Sequence, residues 1–199
     1  MIYCPVNKLY GVVLCGGKSS RMGSDKGLLQ CGERTWSEMA LENLRPYCTR
    51  VVLSVNQSQV PAYGRKFSQG MLMQDDPDIL KQYAGPVAGV LTARGKFPGG
   101  DLLVLACDMP DMDTACLREL VEAYRRYPHH SCYAYQGADF FEPLCAIYTH
   151  RLWNCSAEGG WGSSIPSLQE MLWSHTCYGL PLTAARKMAL KNYNCPAQR

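Results

Sequence analysis

The residues best suited to chemistry lie near the start of the chain. Leu14-Cys15-Gly16-Gly17-Lys18-Ser19-Ser20-Arg21-Met22-Gly23-Ser24-Asp25-Lys26 mixes small side chains with three cations, Lys18, Arg21 and Lys26. Glycines let backbone N–H groups converge on an anion, and Arg21 and Lys26 can add charge-assisted hydrogen bonds to phosphate oxygens. A triphosphate fits such a loop; so, on residue types alone, does a solvated surface turn. Gly17-Lys18-Ser19 imitates the end of a Walker A loop, but that motif's first glycine would fall at Val12, and Gly11 is one residue off.

A second group follows apolar runs. Asp108, in Cys107-Asp108-Met109-Pro110, stands just after Asp101-Leu102-Leu103-Val104-Leu105-Ala106. Open α/β sheets bind ligands at the carboxyl ends of their strands, where a lone carboxylate can anchor Mg²⁺; a helix-capping or turn aspartate reads the same way. Asp75, Asp76 and Asp78 follow another short apolar run and are open to contacting a base, a ribose or the metal shell, or to forming a solvated turn. Glu142, before Pro143, and Asn192 with Asn194 sit at expected strand ends, where structural roles serve equally well. His129, His130, Arg125 and Arg126 read as the solvated end of a helix, where cations suit the dipole. His150 and His175 have no spacing that suggests a metal.

The elements that must carry these groups alternate. Leu9 to Leu14 reads as a buried strand feeding the glycine turn. Trp36, Met39, Ala40, Leu44 and Tyr47 recur at helical spacing, with Thr35 able to cap and Pro46 to stop the helix. Arg50 to Val55 is apolar on both faces, as in a central parallel strand covered by helices. Met71 to Met73 forms a third strand, and Pro86 suits the first turn of a helix from Gly85 to about Arg94. Asp101 to Ala106 is a further strand, and Asp113 can cap a helix showing Leu117, Leu120, Val121 and Tyr124 on one face. Beyond Pro128, Cys132–Tyr135 and Glu142–Tyr148 read as closely spaced strands of antiparallel type around a Gly137 turn, followed by short helices near 167–173 and 182–190.

With 199 residues, the chain predicts one domain, 1–199, with a nucleotide- and metal-binding half at 9–127 and a second-substrate half at 128–199. At 47% hydrophobic and 19% charged, it excludes a disordered or fibrous chain. A net charge of +3 is too small to imply a nucleic-acid groove or a polybasic membrane patch. No apolar run approaches the roughly 20 residues of a bilayer crossing, and the start lacks a basic leader with a sustained apolar run; the expected place is the cytoplasm. Eleven cysteines, an odd number without a CxxC, argue against zinc clusters, redox motifs and a secreted disulfide framework, and read as reduced, buried small hydrophobes.

Taken together, Leu14-Cys15-Gly16-Gly17 with Ser20-Arg21-Met22-Gly23 and Asp25-Lys26, then Gly85-Pro86-Val87-Ala88-Gly89, then Cys107-Asp108-Met109-Pro110, resemble the molybdenum cofactor guanylyltransferases, the MobA family. Glu142-Pro143-Leu144 and the closing Asn192 to Pro196 extend the likeness over most of the chain. The resemblance implies an α/β, Rossmann-like (GT-A-like) nucleotidyltransferase of three α/β/α layers, its sheet mostly parallel with a small antiparallel part. It implies transfer of GMP from MgGTP to molybdenum-bound molybdopterin, giving molybdopterin guanine dinucleotide and pyrophosphate. By position, Leu14, Cys15, Gly16, Gly17 and Gly23 would line the nucleotide, with Arg21 and Lys26 on the triphosphate and Asp108 on Mg²⁺. Gly85, Pro86 and Asp75 would also face the nucleotide, although the spacing leaves Asp76 or Asp78 as alternatives to Asp75. Ser54 stands where the family often has asparagine, with Asn56 two residues on, and Asn192 and Asn194 are candidates for the pterin side. Cys15 replaces a commoner alanine and Cys195 a commoner threonine.

The same loop also suits a cytidylyltransferase acting on the same pterin, a sugar-phosphate nucleotidyltransferase, or a non-catalytic GTP-binding protein that delivers the cofactor. Gly16 favours guanine, because the cytidine-using relatives usually carry alanine there. Implied partners are molybdopterin-handling proteins and an apo-molybdoenzyme or its chaperone, with neither nucleic acid nor membrane.

Overall fold

The structure, a computed structural model, describes residues 7–16, 25–155 and 165–193. Its strands are β1 (Leu9–Leu14), β2 (Gln30–Cys31), β3 (Arg34–Thr35), β4 (Arg50–Val55), β5 (Leu72–Gln74), β6 (Asp101–Ala106), β7 (Cys132–Gln136), β8 (Phe141–Tyr148) and β9 (Cys177–Pro181). Its helices are α1 (Trp36–Leu44), α2 (Val60–Gly64), α3 (Pro77–Leu80), α4 (Pro86–Lys96), α5 (Thr114–Arg126), α6 (His150–Cys155), α7 (Leu168–Ser174) and α8 (Ala184–Ala189), with single 3₁₀ turns at Lys26–Leu28 and Gln69–Met71.

Seven strands form one sheet in the order β5-β4-β1-β6-β8-β7-β9. β1 pairs in parallel with β4 and β6, β4 with β5, and β7 with β9, while β8 runs antiparallel to both β6 and β7. Along β1, Leu9 and Val13 face one core and Val12 and Leu14 the other; β6 divides Leu103 and Leu105 from Leu102 and Val104 in the same way. The first core is closed by Ala40, Leu41 and Leu44 of α1 and by Leu117, Leu120 and Val121 of α5. The second is closed by Val90, Leu91 and Ala93 of α4 and by Met171 and Leu172 of α7. The result is three layers, α/β/α, as expected for a sheet whose inner strands are apolar on both faces.

Local chemistry explains the element ends. Thr35 and Glu38 form a capping box on α1, and Ser167 and Glu170 form another on α7. Asp113 caps α5. Gly85, the N-cap of α4, has φ 66° and ψ −145°, a conformation open essentially to glycine alone, and Pro86 follows in the first turn.

Several boundaries differ from the sequence reading. The third strand starts at Leu72, because Met71 closes a 3₁₀ turn, and the last helix spans Ala184–Ala189, with Thr183 as its cap. β2 and β3 form a small hairpin around Gly32 (φ 63°), each strand too short to show a period. β9 contains Gly179 and Pro181, residues poor in strand propensity, and owes its form to pairing with β7.

Candidate functional site

The site lies at the carboxyl ends of β1, β4 and β6. From β1 the chain steps outward to β4 and β5, then crosses back to β6 on the other side of β1. Such a reversal opens a crevice beyond the strand ends. Cys15 leaves β1 there, its N–H donating to the Ser54 carbonyl at 3.0 Å, and the Cys107 N–H donates to the Leu14 carbonyl at 3.1 Å.

Across this edge Lys26 and Asp108 meet. The Lys26 Nζ lies 3.0 Å from the Asp108 Oδ2, and both side chains are partly open to solvent, at 24% and 20%. The adjoining Asp25 caps the 3₁₀ turn, accepting the Gly27 N–H at 3.0 Å and the Tyr63 hydroxyl at 2.8 Å. Gln59 donates its amide to Asp25 and, at 2.9 Å, to the Cys15 carbonyl. The far end of the chain also arrives here: the Tyr193 N–H donates to the Asp108 carbonyl at 2.9 Å, and its hydroxyl to Asp111 at 2.5 Å. Asn192, the residue before it, is exposed.

A second polar group sits beside Gly16. Asp75 is buried, and its Oδ1 accepts the Ser54 hydroxyl at 2.6 Å. A Cβ built on Gly16 would stand 3.3 Å from the Asp75 Oδ2. Burial raises the Asp75 carboxyl above its ordinary value, and the Ser54 hydrogen bond works against that rise. Its two neighbours are placed differently: Asp76 caps α3, and Asp78 is exposed and paired with Lys81 at 2.6 Å. Gly89 of α4 packs on the same spot, since a Cβ there would come within 2.6 Å of the Ser54 Oγ and 2.8 Å of Leu14. Gly85 and Pro86, one turn earlier, are exposed at the start of the helix.

Glu142 flanks the crevice from β8. Its Oε1 accepts the Leu144 N–H at 3.2 Å. Its carboxyl is pushed up to about 6, chiefly by burial, with the negative charge of Asp108 adding to the rise and the Leu144 N–H opposing it. The Cys107 thiol is raised well above its ordinary value by a hydrogen bond with Cys15 and by burial, so it stays protonated and is no nucleophile.

The structure thus brings Leu14, Cys15, Gly16, Lys26, Ser54, Asp75, Asp108 and Asn192 to one edge of the sheet, with Gly85 and Pro86 on the helix that packs there. Gly17, Arg21, Gly23 and Asn194 lie outside the described residues. Sequence reasoning gave no role to Gln59 or Tyr63, the cap and a residue of a five-residue helix too short to show a period, and assigned none to Asp25. His150, whose spacing suggests no metal, is held by the buried Asp101, which accepts its backbone N–H at 2.7 Å and faces its Nδ1 at 2.9 Å. At the end of α5, Arg125, Arg126 and His129 are exposed, and His130 packs edge-on against Tyr133 and Tyr178.

Among the described residues no three His, Cys, Asp or Glu side chains converge on a point that could hold a metal. Mg²⁺ does not need such a cage, because it is commonly held by one or two carboxylates together with substrate phosphates and water. The Asp108 carboxylate, a hard oxygen donor partly open to solvent, fits that mode.

Comparison with known proteins places the fold. A molybdenum cofactor biosynthesis bifunctional protein of Synechocystis is 34% identical over 143 residues, which are 71% of this chain and 39% of that longer protein. A molybdenum cofactor guanylyltransferase of Pseudomonas putida is 29% identical over 188 residues, covering 93% of this chain and 92% of its own. The crystal structure of molybdopterin-guanine dinucleotide biosynthesis protein A from Archaeoglobus fulgidus superposes with a TM-score of 0.68 at 20% identity, over 94% of this chain and 93% of that one, and so shares the fold. Residues 11–162, which carry the glycine segment, Asp75, Asp108 and Glu142, match the MobA-like NTP transferase domain, and the chain belongs to that family.

Proposed function

We propose that this chain is a molybdenum cofactor guanylyltransferase, transferring GMP from MgGTP to molybdenum-bound molybdopterin to give molybdopterin guanine dinucleotide and pyrophosphate. The observation that carries the reading is the Lys26–Asp108 pair, a cation and a carboxylate held 3.0 Å apart over the ends of β1 and β6. The relatives named as guanylyltransferases support the choice of nucleotide and acceptor.

In this reading Leu14, Cys15 and Gly16 line the nucleotide, continued by Gly17 and Gly23, and Asp75, oriented by Ser54, meets the base or ribose. Lys26 exchanges Asp108 for the outer phosphate oxygens when the triphosphate enters, and Arg21 adds a second cation. Gly85 and Pro86 border the nucleotide; Asn192, with Asn194, faces the pterin. A pterin phosphate oxygen attacks the α-phosphorus in line as the bond to the bridging oxygen breaks, and the electron pair leaves with pyrophosphate. Lys26 and Arg21 stabilise that growing charge, and no protein nucleophile is needed. Asp108 would hold Mg²⁺, which would supply further charge neutralisation. Partners would be the proteins that supply molybdopterin and the apo-molybdoenzyme, or its chaperone, that receives the product, in the cytoplasm.

Calorimetric titration of GTP, CTP, ATP and UTP, with and without Mg²⁺, tests the reading. Selective, Mg²⁺-supported GTP binding is expected; preference for CTP would move the assignment to cytidylyl transfer, and GTP binding without pyrophosphate release on adding loaded molybdopterin would indicate a carrier. Asp108→Ala should lower pyrophosphate release by about a hundredfold or more, in line with the loss of one electrostatic element. Lys26→Ala should weaken GTP more than GMP, and equal losses would remove Lys26 from the outer phosphates.

A further inference from the structure

We propose that Gln59 is a positioning residue that clasps the two ends of the glycine-rich segment and so sets where Lys26 stands. For its functional consequence this rests on the nucleotidyltransferase reading above.

Gln59 is 7% exposed, and its side chain is fully engaged. Its Nε2 donates to the Cys15 carbonyl at 2.9 Å and to the Asp25 carboxylate, while its Oε1 accepts the Asn56 N–H at 2.8 Å. The amide can face only one way, since reversing it would set oxygen against two acceptors. Cys15 directly follows β1 and precedes the glycines, and Asp25 is the residue next to Lys26. One buried amide therefore bridges the entry and the exit of the segment.

The clasp is reinforced from one turn away. Tyr63, fully buried, donates its hydroxyl to Asp25 at 2.8 Å and packs over Gly27, where an added Cβ would collide with that hydroxyl. The Ser37 hydroxyl holds the Gly27 carbonyl at 2.7 Å. Asp25 thus accepts from Gln59, Tyr63 and the Gly27 N–H, an arrangement that fixes the 3₁₀ turn carrying Lys26. Lys26 then reaches Asp108 from a backbone that cannot shift without breaking buried hydrogen bonds. Gln59 would touch neither nucleotide nor metal; it acts through Asp25.

The test uses the full-length protein with Gln59→Leu, Gln59→Glu and Tyr63→Phe. Hydrogen exchange at the amides of Gly27, Leu28 and Leu29, without nucleotide, reads the clasp directly. Faster exchange there in Gln59→Leu, with the amides of β6 unchanged, is expected. MgGTP affinity should fall roughly tenfold or more, the effect of losing one or two hydrogen bonds to a charged group.

Gln59→Glu puts a second carboxylate against Asp25. It should bind MgGTP poorly at pH 8 and regain affinity relative to wild type at pH 5.5, where a shared proton restores a donor, a dependence that a merely space-filling role would not show. Tyr63→Phe leaves the core filled and should give the same direction of change, so a poorly folded Gln59→Leu does not end the test. Unchanged exchange in all three variants would overturn the clasp whatever the nucleotide result. Faster exchange with undiminished MgGTP affinity would overturn the positioning role. A wild-type protein that binds no MgGTP refutes the guanylyltransferase reading and the positioning role with it, while exchange still decides the clasp.

Discussion

Asp75 and Glu142 are carboxyls whose surroundings favour the protonated form, and both border the crevice. Asp75 accepts a short hydrogen bond from Ser54 that offsets its burial, whereas Glu142 accepts the Leu144 N–H at 3.2 Å and also faces the charge of Asp108. For Glu142 the folded protein holds a proton up to about pH 6, against 4.5 for an ordinary glutamate. The group therefore supports the fold fully below pH 4.5 and loses that contribution as pH rises through 6. Glu142→Gln, which cannot ionise, should gain in Tm over wild type at pH 8 compared with pH 5. Thermal melts at the two pH values check this, and an equal difference at both would refute it.

Helix α4 meets the sheet where β1 and β4 end, and the closeness of that approach depends on Gly89. A methyl group at this position would press on the Ser54 Oγ and on Leu14, prising the hydroxyl from Asp75. Gly89→Ala should therefore destabilise the protein by about 1–3 kcal/mol, the usual cost of overpacking, although alanine is the better helix former. Urea unfolding measures it; a change within about 0.5 kcal/mol would show that the helix can ride outward without loss.

One seven-stranded sheet takes strands from both sides of residue 127, β1 to β6 before it and β7 to β9 after it, with only the β2–β3 hairpin outside it. β8, the reversed strand, lies between β6 and β7, so β6 is hydrogen-bonded on one side to β1 and on the other to β8. All six residues of β6 are buried. A fragment ending at residue 127 would leave that strand as a long, apolar, unpaired edge, a template for aggregation. We expect such a fragment to be insoluble and the intact chain to unfold in one transition; a soluble 1–127 fragment with native-like circular dichroism would show two separable units.

How much of this was legible beforehand depended on whether the information was local. β1, β4 and β6 announce themselves as apolar runs, and α1 and α5 by spacing and caps, because burial on two faces or on one stripe leaves a pattern in neighbouring residues. Lys26 and Asp108 stand out for the same reason, each in a short run of distinctive residues just after an apolar strand. β9 and the β2–β3 hairpin left no such trace; their strands are made by a partner and not by their own propensity. Asp75, Asp76 and Asp78 are equivalent as letters, and only the path of the chain after β5 buries the first beside Gly16 while leaving the others to cap or face water. Gln59 and Tyr63 meet Asp25, and Glu142 feels the charge of Asp108, only through the tertiary structure, because hydrogen bonds, charge and desolvation depend on distance in space, which the order of residues does not state.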